Sequence, residues 1–482
     1  MSQVRKSILL SFGQNYFRFA LQFAASVIIA RLLSPAEIGI FSVAMVLIGF
    51  AQRFRDFGVA NYIIQERELS REKIRAAFAM TLITAWTLAA AIALASGLAA
   101  DFYHEPGVKS VMLVLALNFV LLPFGTIPIA YLQRQMDFEH IALINILSSV
   151  LSTATGIGLA YLGFSSLALA WGSVAGIVGN ILFAAIWRPR DLPFLPGLKG
   201  IGEVFSFGTL SSFVLMLSDL SEGAADLILG RLSGMAAVGF FGRATGLVSM
   251  FDRFVMSALF SVALPHFAEQ SRQSGAAGKI FLRSMTYATA LAWPFFACLA
   301  ILAHPVILLL YGEKWAPSVP VLQLLCIAMF ALSPFLLMSS MMTAIGQMRQ
   351  SLYLLAVNVP LRVLFVWLAT PYGVEAVAAT FIASSLIDVS IYIVQCRLVL
   401  SVRPGEMIDA LRESAGVAIF TALPPLLLFG GTSPGASWIA LASGLASCVA
   451  GWLAGIYLFR HPLRSEINNL LIVIRKTVGA PR

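Results

Sequence analysis

The residues of this sequence that could do chemistry are charged and amide side chains set inside long apolar runs. Gln14, Arg18 and Gln22 recur every four residues and form one polar stripe on an otherwise apolar helix. A charge inside a bilayer costs at least about 2.5–3.5 kcal/mol on insertion scales, so such side chains usually face the interior of a helix bundle. Arginine suits a phosphate-bearing ligand because its planar fork donates paired hydrogen bonds and keeps its charge. The side chains predicted to bind such an anionic substrate are Gln14, Arg18, Gln22, Arg243, Arg253, Asn358 and Arg362.

A second polar stripe, later in the chain, is acidic. Asp219, Glu222 and Asp226 follow one another at spacings of three and four residues, so they share one helix face. Asp388 lies in a further apolar run. We expect these four carboxylates to take up a coupling ion. We also expect the Gln14, Arg18 and Gln22 stripe, a basic stripe on the first predicted helix (helix 1), to face the acidic stripe across a cavity. The alternative is that the bases and acids neutralise one another as interhelical ion pairs, which fix packing and add little stability.

The sequence lacks the motifs of common enzymes. It contains no P-loop, no nucleophile elbow and no histidine pair at metal-ligand spacing. The four cysteines lie inside or at the ends of apolar runs, without metal-ligand spacing. We therefore expect no catalytic residue, no metal and no cofactor, and a function located between the helices.

Composition defines the elements that must position these side chains. Of 482 residues, 59% are hydrophobic and only 11% are charged, whereas a soluble domain carries roughly 25% charged residues. The apolar residues form runs of about 20, the length that a helix needs to cross a bilayer. We predict an all-α polytopic membrane protein with about fourteen transmembrane helices. The predicted spans are 8–33, 36–60, 76–100, 108–130, 141–163, 166–187, 204–229, 234–264, 281–303, 320–345, 352–370, 374–397, 412–430 and 435–459.

The basic residues indicate the orientation of these helices. If the N-terminus is cytoplasmic, 22 of the 32 Lys and Arg residues fall in inside connections and termini and four in outside connections. By the positive-inside rule both termini are then cytoplasmic. The formal net charge of +9 is accounted for by this topology, so we expect no nucleic-acid partner.

An internal repeat is visible at an offset of 200 residues. Arg31, Leu32, Gly39 and Phe41 match a later RLSGMAAVGFF segment, residues 231–241, without a gap. A weaker match places the Asn145 region over the Asn358 region. The offset contains six helices, an even number, which predicts two parallel six-helix bundles with a binding cavity between them. The predicted division is one lobe over residues 1–200, a second over 201–400, and two additional helices with a basic amphipathic tail over 401–482.

Several segments together resemble the Wzx-type polysaccharide flippases. They are ARLLSPAEIGIFSVA (30–44), DFGVANYIIQ (56–65), YLQRQMDFEHIA (131–142), DLILGRLSGMAAVGFFGRA (226–244), ALPHF (263–267) and YGEKWAPSVPVL (311–322). The resemblance implies two six-helix lobes around a cationic cavity and transport of undecaprenyl-pyrophosphate-linked oligosaccharide to the outer leaflet, without ATP. Arg18 lies where lipid II flippases are likewise basic. The acidic stripe has no counterpart in these motifs.

The resemblance also implies a location and partners. We expect a multi-pass protein of the bacterial cytoplasmic membrane whose partners are the lipid-linked oligosaccharide, the bilayer, and the polymerase and chain-length machinery of polysaccharide export. Two alternatives stay open. A multidrug or cation antiporter of the same superfamily would tolerate loss of Arg18 and Arg362, and a membrane glycosyltransferase or polymerase would need longer outer loops than this chain has.

Overall fold

The computed structural model describes residues 3–55, 59–66, 68–187, 196–197, 223–256, 277–429 and 435–468. The regular elements within these residues are all helices, which confirms the predicted all-α class. In chain order the α-helices are α1 (Gln3–Leu32), α2 (Pro35–Arg55), α3 (Val59–Gln65), α4 (Arg71–Tyr103), α5 (Pro106–Leu121), α6 (Pro123–Arg134), α7 (Phe138–Tyr161), α8 (Ser166–Trp187), α9 (223–232), α10 (Met235–Val248), α11 (Ala277–Ile301), α12 (Ala303–Tyr311), α13 (Ser318–Leu332), α14 (Met338–Ala344), α15 (Met348–Ala369), α16 (Val374–Val399), α17 (Pro404–Leu428), α18 (Trp438–Leu458) and α19 (463–468).

The helices have the length and composition of membrane spans. In the described part of the chain, nine helical segments are long and apolar enough to cross a bilayer, and α5 with α6 would make a tenth. The protein is therefore a polytopic membrane protein, as predicted. The count of fourteen stays a prediction, since the polar helices α1 and α15 are not among these segments. The predicted spans 204–229 and 234–264 also extend beyond the described residues.

Two spans that the sequence predicts as continuous helices are broken. The predicted span 108–130 divides into α5 and α6, which are bent by 48° around Leu122 and Pro123. The predicted span 320–345 is interrupted by a 3₁₀ turn, Ser333–Phe335. Each break contains a proline, which lacks the backbone N–H and whose ring clashes with the preceding turn. Apolar composition alone does not reveal such a bend.

The chain forms two compact units, residues 1–242 and 243–482. The predicted three-part division at residues 200 and 400 stays a prediction, because residues 198–222 lie outside the described part. Of the predicted amphipathic tail, residues 463–468 are helical and residues 469–482 lie outside the described part.

The two copies of the internal repeat meet inside the first unit. A Cβ added to Gly39, near the start of α2, would overlap the carbonyl oxygen of Met235 at the start of α10. A Cβ added to Gly239 would overlap the carbonyl oxygen of Pro35 in the same way. The two contacts are equivalent in the repeat, because Gly239 and Met235 lie 200 positions after Gly39 and Pro35. Such a reciprocal contact is expected where two elements are related by a two-fold axis.

α7 and α8 pack closely through small residues. A Cβ added to Gly172 would lie 3.0 Å from the carbonyl oxygen of Ser152, and one added to Gly176 would lie 3.0 Å from the Ser152 Cβ. Small side chains allow helix backbones to approach one another within a membrane protein. The hydroxyl-bearing face of α7 is thereby held directly against α8.

Candidate functional site

A polar pocket of about 200 Å³ lies between α1, α7 and α8, within the first unit. α1 contributes Arg18 and Gln22, two members of the predicted basic stripe. Gln14, the third member, is half-buried and is not among the residues that line the pocket. The structure thus brings two of the seven predicted substrate-binding side chains to one cavity.

The walls of the pocket carry hydroxyl and amide groups. α7 contributes Asn145, Ser148 and Ser152, and α8 contributes Ser173 and Asn180. None of the described residues that line the pocket is acidic, so Arg18 is its one formal charge there. The cavity therefore favours an anion, or an anion joined to a polar neutral group, over a cation.

Several polar atoms of the pocket residues have no hydrogen-bond partner among the described residues. They are Nε of Arg18, Oγ of Ser148 and Oδ1 of Asn180, all of them buried. A buried polar atom without a partner costs about 1–3 kcal/mol. Water or a polar ligand in the cavity would remove that cost, because polar cavities of this kind hold hydrogen-bonded occupants.

α5 supports the α8 wall from behind. The amide Nδ2 of Asn118 donates a hydrogen bond to Oγ of Ser173 at 2.9 Å. The Asn118 side chain is buried, and its Oδ1 has no partner in the described part of the chain. The Ser173 hydroxyl accepts this bond through its oxygen and still carries a proton that it can donate.

A second polar cluster lies within the second unit, between α15 and α16. The Asn358 amide donates to Oδ1 of Asp388, and Nη2 of Arg362 lies 3.7 Å from Oδ2 of the same carboxylate. The Arg362 guanidinium also lies 5.3 Å from the centre of the Phe381 ring. Asp388 is only 3% exposed, so its charge is balanced by partners held on the facing helix. The sequence assigned these three residues to two different roles, and the structure places them in one ion-paired cluster.

Arg243 is enclosed by aromatic rings within the second unit. Its guanidinium carbon lies 5.3 Å from the ring centre of Tyr311 and 5.2 Å from that of Trp315. Trp315 is fully buried. These are cation–π distances, so part of the Arg243 guanidinium is already engaged by protein. Its substrate-binding role stays a prediction.

The remaining predicted residues lie elsewhere. Arg253 is exposed on a π-helical turn, Asp252–Met256. Asp226 lies on α9 and interacts electrostatically with the Tyr103 phenol at the end of α4. It is not among the residues that line the Arg18 pocket. Asp219 and Glu222 lie outside the described residues, so the acidic stripe and its pairing with helix 1 stay predictions.

The sequence reasoning missed the serine and asparagine walls of the pocket. The signal is present on α7, where polar residues recur at helical spacing on one face at 145, 148, 149, 152 and 153. It is absent for Asn118 and Asn180, which are single amides in apolar helices. A search for charges alone passes over all of them.

Comparison with known proteins identifies the family. The family described as "Polysaccharide biosynthesis protein" matches residues 28–320 of this chain. Among curated relatives, the lipopolysaccharide biosynthesis protein WzxC of Escherichia coli K12 is 25% identical over 303 residues, 62% of this chain and 61% of WzxC. The succinoglycan biosynthesis transport protein ExoT of Rhizobium meliloti is 25% identical over 332 residues, 68% of this chain and 67% of ExoT.

A solved structure has the same fold over nearly the whole chain. The lipid II flippase MurJ, in its inward closed conformation, superimposes with a TM-score of 0.74. The match covers 95% of this chain and 99% of MurJ at 14% identity, so it establishes the fold alone. The match to WzxC spans about three fifths of that protein's length. Because the family match extends over more than half of the sequence, the chain belongs to the polysaccharide biosynthesis protein family.

Proposed function

We propose that this protein translocates an undecaprenyl-pyrophosphate-linked oligosaccharide from the inner to the outer leaflet of the bacterial cytoplasmic membrane. The observation that carries the proposal is the pocket around Arg18. It offers one guanidinium with a buried Nε that no described residue engages, and its lining residues include no carboxylate. A pyrophosphate is the anion that such a fork-shaped donor binds well.

The physics of the substrate demands a protein of this kind. Sugars and a pyrophosphate cannot enter hydrocarbon unaided, because a buried polar or charged group without partners is strongly unfavourable. A polar, cationic path inside a helical membrane protein replaces the lost hydration, while the prenyl tail stays in lipid. Alternating access of two helical lobes would expose this path to one leaflet at a time.

The relatives support this assignment. WzxC and ExoT are named for lipopolysaccharide biosynthesis and for succinoglycan biosynthesis transport, and MurJ is named as a lipid II flippase. In this chain the transport cycle would be driven by a gradient, with Asp219, Glu222, Asp226 and Asp388 as the coupling acids. A gradient can drive the cycle only if ion binding favours one facing state over the other. Both termini would be cytoplasmic, and the polymerase and chain-length machinery would receive the glycan.

The test is depletion of the protein in its host, followed by extraction of lipid-linked sugars and a leaflet-accessibility assay. We expect complete oligosaccharide units to accumulate on the cytoplasmic leaflet, because their synthesis continues while their exit stops. Accumulation of cationic dyes without any lipid-linked sugar would replace the proposal with a cation antiporter. Accumulation of unpolymerised units on the outer leaflet would place the protein after translocation.

A further inference from the structure

The α7 and α8 walls of the Arg18 pocket have a chemistry distinct from that of the arginine. We propose that Ser148, Ser152 and Asn145 of α7 and Asn180 of α8 form a subsite for the single sugar ring joined to the pyrophosphate. This subsite would select which glycan is carried. The inference rests on the proposed function, since it requires that Arg18 binds the pyrophosphate.

The side chains of the wall can both donate and accept hydrogen bonds, as the hydroxyl groups of a sugar do. Each sugar hydroxyl both donates and accepts a hydrogen bond, and serine hydroxyls and asparagine amides do the same. The wall carries no formal charge, as far as the described residues show, so it does not supply the positive charge that attracts a phosphate. Neutral donors and acceptors in a cavity distinguish one hydroxyl arrangement from another, because a mismatched sugar leaves buried groups unpaired.

Two atoms of the wall point to a missing partner. The Ser148 side chain is 3% exposed, and its Oγ finds no hydrogen-bond partner among the described residues. The Asn180 Oδ1 on the facing helix is likewise buried without a partner in that part of the chain. Ser149 differs, because its hydroxyl already donates to the Asn145 carbonyl at 2.7 Å. Ser148 and Asn180 are thus the groups that a bound polyol would satisfy.

The size of the pocket allows about one ring to lie inside it, and the further rings of an oligosaccharide would extend beyond it. Pockets that enclose a drug-sized ligand measure roughly 300–1,000 Å³, whereas this one measures about 200 Å³. An oligosaccharide of several rings exceeds that space. Since the wall and Arg18 line the same cavity, the ring that reaches the wall is the one bonded directly to the phosphate.

The competing explanation is packing alone. Ser152 lies where α8 approaches most closely, with its Oγ 3.3 Å from a Cβ position on Gly176. Small residues there would be needed even without a ligand. A packing role predicts that removing a hydroxyl weakens every ligand equally, whereas a sugar subsite predicts that it weakens only ligands that carry the sugar.

The experiment measures binding of short-chain polyprenyl pyrophosphate to the purified full-length protein in detergent. The probes are the sugar-free lipid and four forms that bear glucose, galactose, N-acetylglucosamine or N-acetylgalactosamine. For the wild type we expect at least one sugar form to bind about tenfold more tightly than the sugar-free lipid, the effect of one or two buried hydrogen bonds. In Ser148→Ala and Asn180→Ala we expect that preference to disappear while the sugar-free lipid binds unchanged.

Thr155→Ala is the matched control, because Thr155 lies on α7 and is not among the pocket residues. It should keep the sugar preference. Equal binding of all five lipids by the wild type would overturn the sugar subsite and leave the proposed function standing. Equal weakening of all five lipids by Ser148→Ala would assign Ser148 to packing or to the phosphate that all five share, and would overturn the subsite. Failure of the wild type to bind any of the five would overturn both proposals.

Discussion

At the scale of single residues, the site consists of one unengaged cationic atom set among neutral polar groups. The buried Nε atoms of Arg18, Arg243 and Arg362 all lack a hydrogen-bond partner among the described residues. The Arg362 guanidinium nevertheless faces Asp388 and the Arg243 guanidinium faces two aromatic rings, whereas Arg18 lines a pocket whose described residues include no carboxylate. In the sequence each of these three arginines is a base inside an apolar run. Their structural surroundings differ, and those surroundings come from other helices.

The pairing of Arg362 with Asp388 makes a prediction about stability. Asp388→Asn or Arg362→Met alone should lower the free energy of unfolding by about 3 kcal/mol, since removing one partner leaves a poorly solvated charge. The double substitution should recover most of that loss. Thermal unfolding in detergent of the four forms, analysed as a double-mutant cycle, measures the coupling.

The same four proteins also test the proposed role of Asp388 in ion coupling. If Asp388 takes up the coupling ion, the double variant would fold normally and lose gradient-dependent transport. Strictly additive stability losses would contradict the ion pair.

His461 predicts a dependence of stability on pH. The imidazole is fully buried after the end of α18, and burial lowers its pKa below the ordinary value of 6.5. Its Nδ1 accepts a hydrogen bond from the Leu463 N–H at 3.2 Å, and Nε2 lies 3.3 Å from Oγ of Ser414, so the ring is neutral. The unfolded chain then binds more protons than the folded chain below pH 6.5. Stability should therefore fall as pH drops below 6.5, by at most about 1.4 kcal/mol per pH unit.

The measurement compares unfolding of the wild type and His461→Gln between pH 5 and pH 8. The variant should lack the part of the slope that His461 causes. Identical slopes in the two proteins would contradict a neutral buried histidine.

At the scale of helices, close backbone contacts position the site. Gly39 and Gly239 bring the starts of α2 and α10 into reciprocal contact, and Gly172 and Gly176 hold α8 against α7. The sequence predicted the Gly39 and Gly239 equivalence from its repeat of 200 residues. It contained no signal that the two copies touch each other, because an offset describes similarity and not distance.

The reciprocal contact predicts symmetric effects of mutation. Gly39→Ala and Gly239→Ala should each destabilise the protein, because the added methyl group overlaps a backbone carbonyl that cannot move independently. Gly49→Ala, also on α2, has open space around its Cβ position and should be neutral or slightly stabilising. Melting temperatures of the three variants in detergent check this. If Gly49→Ala lowers the melting temperature as much as the other two substitutions, the destabilisation comes from replacing a helical glycine and not from the close contact.

The sequence predicted a helix correctly where a long apolar run determines the structure. It did not predict the features that depend on a single proline or on contacts between helices. The spans around α4, α7 and α8 were predicted within a few residues, since about 20 apolar residues admit only a helix. The bend at Pro123 was missed, as was the meeting of Asn358 with Asp388, which lies thirty positions further along the chain. Pairing between helices depends on their packing, which a single sequence does not encode in any short pattern.

At the scale of the whole molecule, the distribution of basic residues predicts orientation. With 22 basic residues in one set of connections and four in the other, both termini should lie in the cytoplasm. Fusions of green fluorescent protein and alkaline phosphatase at the C-terminus test this. We expect the fusion with green fluorescent protein to fluoresce and the fusion with alkaline phosphatase to be inactive. The opposite pattern would place the C-terminus on the outer side of the membrane.

The central claim is that the protein moves a lipid-linked, pyrophosphate-bearing glycan past Arg18. The most direct measurement reconstitutes the purified protein into liposomes with lipid-linked oligosaccharide from depleted cells and follows the glycan that becomes accessible to a membrane-impermeant oxidant. The wild type and Lys109→Ala, which removes an exposed base, should expose the inner pool under an applied gradient. Arg18→Ala should slow exposure at least tenfold, and Arg18→Lys should fall between, because lysine keeps the charge and loses the paired donors. Equal rates for Arg18→Ala and the wild type would contradict the account.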